Sequence, residues 1–403
     1  MGTRNLGTQT VRRVLWGWVA IALLVGLSAC GASGGETTQG RATATALVAS
    51  TATSGEQATP TPTTSDQGGP VATPTTPLTQ LTVYVGSDGS GFYGLNAGTG
   101  ALRWQTTISG TANKPFPTNG QVFLTTDGGD VYAINAGSVI WHVNQLGNGA
   151  LGRPTIGNNL VYVATESGTI YALHQDTGST HWHYATGGAI TGTVALAPDG
   201  GTVYTGSSDG YLYALNASSG ALMWRYATGT AIEFTSPTVT SSGIVYFGAD
   251  NGIVYAVGAQ SGNLKWKYQT GGQIFGRPAV SGGILYVGSS DHNIYAINAN
   301  TGALAWKHAT GDSVIGTPAV ASGVVYIASG DAGLRALNAS NGTLLWKFTS
   351  TGFSTSRGWP SVSQGIVYIG SDDGYVYALK GGSGGVLWRY QTNGRASSPS
   401  VGA

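Results

Sequence analysis

Eight tryptophans recur along most of the chain at nearly constant spacing. Successive members are 37 to 42 residues apart, and each closes a unit such as SSDGYLYALNASSGALMWRY, residues 207–226. Within a unit, β-branched and aromatic residues alternate between Gly-containing turns, which predicts about four short strands. A unit of roughly 40 residues with four strands has the size of one propeller blade. The eight are Trp104, Trp141, Trp182, Trp224, Trp266, Trp306, Trp346 and Trp388.

The two ends of the repeat region complement each other. The first unit starts at Leu81 without a preceding Pro-x-Val strand, whereas Pro399 to Val401 forms such a strand with no unit after it. We predict that this last strand completes the first blade, because closure removes the open edges of a stack. The predicted fold over residues 80–403 is therefore all-β, an eight-bladed β-propeller closed by its C-terminal strand. A solenoid of stacked strands is the alternative.

One motif connects these units to a known family. Ala214-x-Asn216-x-x-Ser219-Gly220-x-x-x-Trp224 resembles the repeat of pyrroloquinoline-quinone (PQQ) propellers, A-x-D-x-x-T-G-x-x-x-W. The resemblance covers residues 81–403. Gly permits the positive φ of a hairpin turn, Asn can bond the turn backbone, and Trp has a large surface to bury. We therefore interpret the eight tryptophans as structural docking residues. The second unit departs from the motif, because it lacks the Thr-Gly before Trp141.

The first thirty residues are typical of an export signal. Arg12 and Arg13 precede the apolar run Val14 to Leu27, and Leu27-Ser28-Ala29-Cys30 follows it. This order resembles the bacterial lipobox, which implies a lipoprotein signal peptide over residues 1–30 and lipidation of Cys30. An uncleaved anchor helix with an incidental Cys is the alternative. Acyl chains on Cys30 would hold the protein to a membrane.

Residues 31–79 differ from the repeats in composition. Thr, Pro, Ala, Ser and Gly dominate, and little can be buried, so we expect a disordered linker between anchor and propeller. The formal net charge of the chain is only +1, which gives no indication of nucleic-acid binding. A single Cys excludes an intrachain disulfide.

Departures from the repeat are the candidates for function. Cations and aromatic residues occur in the connections between a Trp strand and the next Pro-x-Val strand, where the PQQ resemblance implies a central funnel. Among acids, the sequence assigns only Glu233 and Asp312 to these connections, which predicts a positive funnel mouth. Because Arg and aromatic residues dominate binding hot spots, we expect a partner-binding surface, with solvated loop residues as the alternative. The candidates are Lys114, Arg153, Arg277, Arg357, Trp359, Arg395 and Phe275.

Other departures have simpler interpretations. The residue after each Trp is often basic, as at Lys267 and Lys347, and charge there deters strand addition at a sheet edge. His181 and His183 share a strand face but have no third ligand in register, so no metal site is predicted. Arg335 replaces the Tyr of the YALN segment, and we expect it to extend toward water.

The chain as a whole resembles BamB-type envelope lipoproteins. That resemblance implies a non-catalytic, membrane-tethered, extracytoplasmic scaffold that binds an envelope protein partner without a cofactor. We expect a monomer, although the sequence does not determine the oligomeric state. The protein could face the periplasm from the outer membrane or lie at the cell surface. The alternatives are a PQQ- and Ca²⁺-dependent dehydrogenase, for which the funnel offers few oxygen ligands, and a glycan or small-anion sensor.

Overall fold

A computed structural model describes residues 76–147, 152–331, 333–350 and 359–403. Over these residues the chain forms eight four-stranded antiparallel sheets, which are the blades of a ring. The predicted all-β, eight-bladed propeller is thereby confirmed. No helix among the described residues is long and apolar enough to span a membrane.

The strands are numbered in chain order, and blade 1 contains the first three together with the last. In blades 2 to 8 the first of the four strands is innermost and the fourth is outermost. The strands of blades 1 to 4 are β1 (Thr82–Gly86), β2 (Gly91–Asn96), β3 (Leu102–Thr107), β4 (Phe116–Thr118), β5 (Gln121–Thr125), β6 (Val131–Asn135), β7 (Ser138–Val143), β8 (Thr155–Gly157), β9 (Leu160–Ala164), β10 (Thr169–His174), β11 (Thr180–Ala185), β12 (Ala195–Leu196), β13 (Thr202–Gly206), β14 (Tyr211–Asn216) and β15 (Leu222–Ala227). The remaining strands are β16 (Thr238–Val239), β17 (Ile244–Gly248), β18 (Ile253–Gly258), β19 (Leu264–Gln269), β20 (Ala279–Ser281), β21 (Ile284–Gly288), β22 (Asn293–Asn298), β23 (Leu304–Ala309), β24 (Ala319–Ala321), β25 (Val324–Ser329), β26 (Gly333–Asn338), β27 (Leu344–Thr349), β28 (Ser361–Ser363), β29 (Ile366–Gly370), β30 (Tyr375–Lys380), β31 (Val386–Gln391) and β32 (Ser400–Gly402).

Burial along a blade follows from its place in the ring. The second strand is almost entirely buried, and β13 at every residue, because neighbouring blades cover both faces. The outermost strand β15 has water at its edge, and its residues are mostly exposed. A bulge between Ala214 and Leu215 interrupts the register of β14 and β15, and each of the other blades has one at the equivalent position. Such bulges increase strand twist.

The ring closes as the sequence predicts. Strand β32 pairs with β1, with Val401 opposite Val83 and Ser400 opposite Tyr84. The Ser400 hydroxyl also donates to the Pro115 carbonyl of blade 2 at 2.6 Å. The C-terminus thus supplies the innermost strand of blade 1 and contacts the next blade.

Each docking tryptophan packs on the glycine of the next blade. Trp224 donates from Nε1 to the Ala259 carbonyl at 3.0 Å, and its ring lies against Gly262. The same carbonyl accepts a second bond, at 3.0 Å, from the Tyr204 hydroxyl on the second strand. Trp388 donates to the Ala97 carbonyl at 3.1 Å, so the same contact joins blade 8 to blade 1. The structural interpretation of the tryptophans agrees with these contacts, whereas the Tyr donors are an additional feature that the sequence analysis missed.

Blade 2 keeps this contact despite its shortened motif. Ala136 and Gly137 both have positive φ, 46° and 87°, which is the pattern of a type I′ hairpin turn. Gly137 lies directly under the ring of Trp104 in blade 1. The two missing residues therefore shorten the turn without removing the glycine on which the neighbouring blade docks.

Arg335 is buried rather than extended toward water, so the expectation for this residue is wrong. It is 6% exposed and pairs with Asp331 through both terminal nitrogens. In blade 4 the equivalent Tyr213 donates its hydroxyl to Asp209 at 2.5 Å. The guanidinium replaces the phenol as donor to the same turn carboxylate, and it consequently lowers the pKa of Asp331.

The predicted signal peptide with Cys30 and nearly all of the predicted linker lie outside the described residues. The linker residues nearest the propeller do contact it. Leu78 packs against the cluster between blades 8 and 1, and the Thr76 carbonyl accepts a bond from Gln364 Nε2 at 2.6 Å.

Candidate functional site

One face of the propeller, which we call the mouth face, carries the connections from each outermost strand to the next innermost strand. It also carries the turns between the second and third strands, because strand direction alternates within a blade. Hydrogen bonds join the two kinds of loop, as between Gly187 N and Asp209 Oδ2 at 2.8 Å. The described candidate residues from the sequence lie in the connections on this face.

The last residue of each connection comes directly before the Pro that leads into an innermost strand. In blade 4, Val194 takes the place of this Pro. In the closed ring these eight positions, which we call the pre-proline ring, lie at one level around the central channel. From blade 1 to blade 8 they are Ser398, Lys114, Arg153, Thr193, Ser236, Arg277, Thr317 and Trp359.

Hydroxyl groups in the pre-proline ring join neighbouring blades. Arg153 N donates to Thr193 Oγ1 at 3.2 Å, and Thr193 N donates to Ser236 Oγ at 2.8 Å. Arg277 N donates to Thr317 Oγ1 at 3.1 Å. The Ser and Thr members therefore satisfy backbone N–H groups of the preceding blade.

Three members of the pre-proline ring are cations, which have no hydroxyl group to accept a backbone N–H bond. Arg277 Nε donates to Thr238 Oγ1 at 3.0 Å, and the guanidinium of Arg153 lies 4.3 Å from the centre of the Phe116 ring. Lys114 Nζ lies 3.4 Å from the Pro360 carbonyl of blade 8. Blades 2 and 6 are four apart in a ring of eight, so Lys114 and Arg277 face each other across the channel.

The three cations act on one another electrostatically. Burial, followed by the charges of Arg153 and Arg277, lowers the pKa of Lys114 from its ordinary value to about 7. Burial, followed by the charge of Arg277, lowers the pKa of Arg153. Among the described residues, no carboxylate forms an ion pair with any of the three. Arg153 Nε is buried with no hydrogen-bond partner in this part of the chain.

The sequence assigns only Glu233 and Asp312 to the connections, but the mouth face also carries acids in the turns between the second and third strands. Turn carboxylates accept backbone N–H bonds from the connection of their own blade, as Asp127 does from Thr111 at 2.8 Å and Asp291 from Gly271 at 2.7 Å. These turns reach the mouth face because the strands alternate in direction. The face therefore has an outer annulus of carboxylates around a cationic channel.

One predicted cation, Arg395, is not part of the channel cluster. Arg395 donates from Nε to Asp88 Oδ2 at 2.6 Å, so it belongs to the annulus and its charge is compensated. The hydrogen bond to Asp88 raises the pKa of Arg395. Arg357 lies outside the described residues.

Aromatic side chains lie on the same face. Phe234 is 42% exposed and its ring is centred 6.1 Å from that of Phe275. Its φ of 54° is uncommon for a bulky residue. The connection containing Phe234 is one residue longer than that containing Phe275, counted from the shared Thr to the Pro. This length difference was the available signal for the exposed position of Phe234. Trp359 is half-buried in the pre-proline ring.

No group of three or more His, Cys, Asp or Glu side chains among the described residues could hold a metal ion. His181 Nε2 lies 3.0 Å from the Ser218 carbonyl, and its ring meets that of His174 edge-on. His181 thus contacts backbone and a neighbouring ring, and the ring of His183 lies beside that of Tyr171.

Comparison with known proteins identifies the family of the chain. A family model described as outer membrane protein assembly factor BamB matches residues 41–146, 115–266 and 250–402. The crystal structure of BamB from Moraxella catarrhalis is 22% identical over 70% of this chain and 88% of that one, with a TM-score of 0.62. The computationally designed Ika8 protein has 18% identity over the same shares, with a TM-score of 0.63. No curated protein matches significantly. Since the family model spans most of the residues, the chain belongs to the BamB family of outer membrane protein assembly factors.

Proposed function

We propose that this protein is a membrane-tethered, non-catalytic propeller scaffold that binds a protein partner in the bacterial cell envelope. Family membership supports a scaffold of the BamB type. The lipobox-like segment ending at Cys30 and the Thr/Pro-rich linker support a tether that lets the propeller reach its partner at a distance from the membrane.

The observation that carries partner binding is the aromatic pair on the mouth face. Phe234 is exposed, in contact range of Phe275, and held with a positive φ on a lengthened connection. Strain in a bulky residue persists only where surrounding structure enforces it, and such positions cluster at ligand contacts. Aromatic side chains are also enriched at hot spots. The partner therefore docks with an apolar group on Phe234 and Phe275.

The surrounding charges define what the partner must offer. The carboxylate annulus borders the aromatic pair, and Arg395 with Asp88 lies within it. Complementary charge favours encounter and orientation. A partner with basic or mixed charge around an apolar anchor fits this surface, in contrast to the wholly acidic segment that a positive mouth would have favoured.

A PQQ- and Ca²⁺-dependent dehydrogenase is the alternative that the donor chemistry does not favour. Ca²⁺ requires several oxygen ligands that converge. The described part of the channel presents the basic side chains of Lys114, Arg153 and Arg277. It contains no cluster of acids that could coordinate Ca²⁺. These residues do not fit the metal.

A site-specific crosslink tests the proposal. A photoreactive amino acid at Phe234 in the native cell should crosslink to a component of the outer-membrane assembly machinery, identified by mass spectrometry. The double variant Phe234→Ser/Phe275→Ser should abolish co-purification of that component. The matched control Leu222→Ser/Leu264→Ser changes outer-strand residues that are 44% and 42% exposed, and it should have no effect.

Two outcomes would contradict the proposal. One is a control variant that loses the partner while the Phe variant retains it, which would assign docking to the outer strands. The other is a source cell without an outer membrane, which would exclude the assembly role. The tether is tested separately, because Cys30→Ser should move the protein from the membrane fraction to the soluble fraction.

A further inference from the structure

The pre-proline ring contains a feature that partner docking on Phe234 does not use. Lys114, Arg153 and Arg277 bring three positive charges into one channel, and no described carboxylate pairs with them. Like charges in a partly desolvated site repel one another, because neither water nor an opposite charge fully screens them. The repulsion within this cluster lowers the stability of the protein, and the role of a scaffold does not explain why the cluster is present.

Contacts within the propeller hold the guanidinium groups of Arg153 and Arg277 in place. The Phe116 ring under the Arg153 guanidinium restrains it by a cation–π contact, at 4.3 Å. Its Nε is buried with no partner among the described residues, and burial without a partner is costly. Arg277 is fixed through its Nε by Thr238, and its terminal nitrogens have no hydrogen-bond acceptor among the described residues. Guanidinium groups bind carboxylate and phosphate oxygens in a bidentate manner.

We propose that the central channel is a binding site for one small oxyanion of the carboxylate or phosphate class, held by Lys114, Arg153 and Arg277. The anion enters from the mouth face and lies between blades 2, 3 and 6. The site is distinct from the aromatic pair and does not depend on partner docking.

The carboxylate annulus favours a small anion over an acidic polypeptide. Carboxylates such as Asp127 and Asp291 surround the channel on the mouth face. An acidic segment would lie across this annulus and be repelled along its length, whereas a compact anion interacts mainly with the channel cations.

Calorimetry on the purified full chain in chloride buffer tests the site, with inorganic phosphate and citrate as separate probes. At least one of them should bind saturably with a stoichiometry of one. Arg153→Thr and Arg277→Thr copy the residue that Thr193 and Thr317 provide in other blades, so both variants should fold. Each should weaken binding by about 30-fold or more, as expected for loss of one desolvated charge partner. The control Lys267→Thr, on the exposed outermost strand, should bind as the unmodified protein does.

The comparison of probes separates the ligand classes. Tighter binding of phosphate than citrate assigns the site to phosphate groups, and the reverse order assigns it to carboxylates. Failure of both probes to saturate at millimolar concentration would overturn the proposal, as would equal affinity in both Thr variants and the unmodified protein. A hexaglutamate peptide that binds more tightly than either probe would show an acidic polypeptide to be the ligand and would refute the small-anion assignment.

Discussion

The contact between each tryptophan and the glycine of the next blade can be isolated with a pair of variants. Gly220 has a φ of 71°, and a methyl group there would lie 2.6 Å from Cε3 of Trp182. Gly229 has a similar φ of 78°, but a methyl group there would have no atom within 4 Å outside its chain neighbours. Substitution by Ala has the same conformational cost at both glycines, because their φ values are similar. Only at Gly220 does the added methyl group also clash with a neighbouring side chain.

The magnitudes follow from these two contributions. A left-handed conformation costs an Ala about 1–2 kcal/mol, and overpacking of a tight contact costs a further ~1–3 kcal/mol. Gly220→Ala should therefore lower the free energy of unfolding by about 2–5 kcal/mol, and Gly229→Ala by only about 1–2 kcal/mol. The clash also displaces the Trp182 indole from the Ala217 carbonyl, to which it donates at 3.0 Å.

Urea denaturation followed by tryptophan fluorescence measures both values, since equilibrium midpoints compare variants of one fold. If unfolding is irreversible, the apparent melting temperatures of the two variants, measured at one scan rate, replace the free energies from urea denaturation. Equal destabilisation by the two variants would refute the docking account, because only the contact with Trp182 distinguishes the two positions.

Two further perturbations address closure and charge. Deleting residues 394–403 removes β32 and leaves β1 with an open edge, so the truncated protein should aggregate or lose most of its stability; a monomer with an unchanged melt in light scattering would contradict closure. Lys114→Met should stabilise the protein by about 4 kcal/mol at pH 7 in chloride buffer and by almost nothing well above pH 10.5. The pKa of Lys114 is lower in the folded state, to about 7, so its protonation opposes folding increasingly as the pH falls from 10.5 to 7. Equal gains at both pH values would indicate a packing effect.

The fold could be predicted because its determinants are local and repeated. A period of about 40 residues, Gly turns and a Trp per unit specify a blade, and the unmatched strand near Pro399 specifies closure. Blade 2 shows how tolerant this is, since Ala136 and Gly137 form a shorter turn that still presents its glycine to Trp104. The burial of Arg335 could not be predicted, because it depends on pairing with Asp331. That pairing can be inferred only once the equivalent hydrogen bond from Tyr213 to Asp209 is known.

The site was predicted in part. The repeat register assigned Lys114, Arg153 and Arg277 to one class of connection, and the structure puts them in one channel. The turn acids were assigned only to hairpins, although antiparallel strands return the turn between the second and third strands to the mouth face. Counting strand directions would have found the annulus. The exposure and φ of Phe234 depend on how one extra residue is accommodated, which three-dimensional packing decides.

The pre-proline ring allows stability and binding to be separated by a single substitution. Arg277 stands where Thr317 and Thr193 accept an N–H bond from the preceding blade, and its charge adds repulsion toward Lys114. Arg277→Thr should therefore leave the ligand-free protein as stable or up to about 1 kcal/mol more stable, because a typical added hydrogen bond and relieved repulsion offset the lost bond to Thr238. The same variant should bind phosphate or citrate more weakly. Opposite effects are typical of a binding site, at which function opposes stability. A variant that loses more than about 2 kcal/mol in urea denaturation without ligand would instead give Arg277 a structural role.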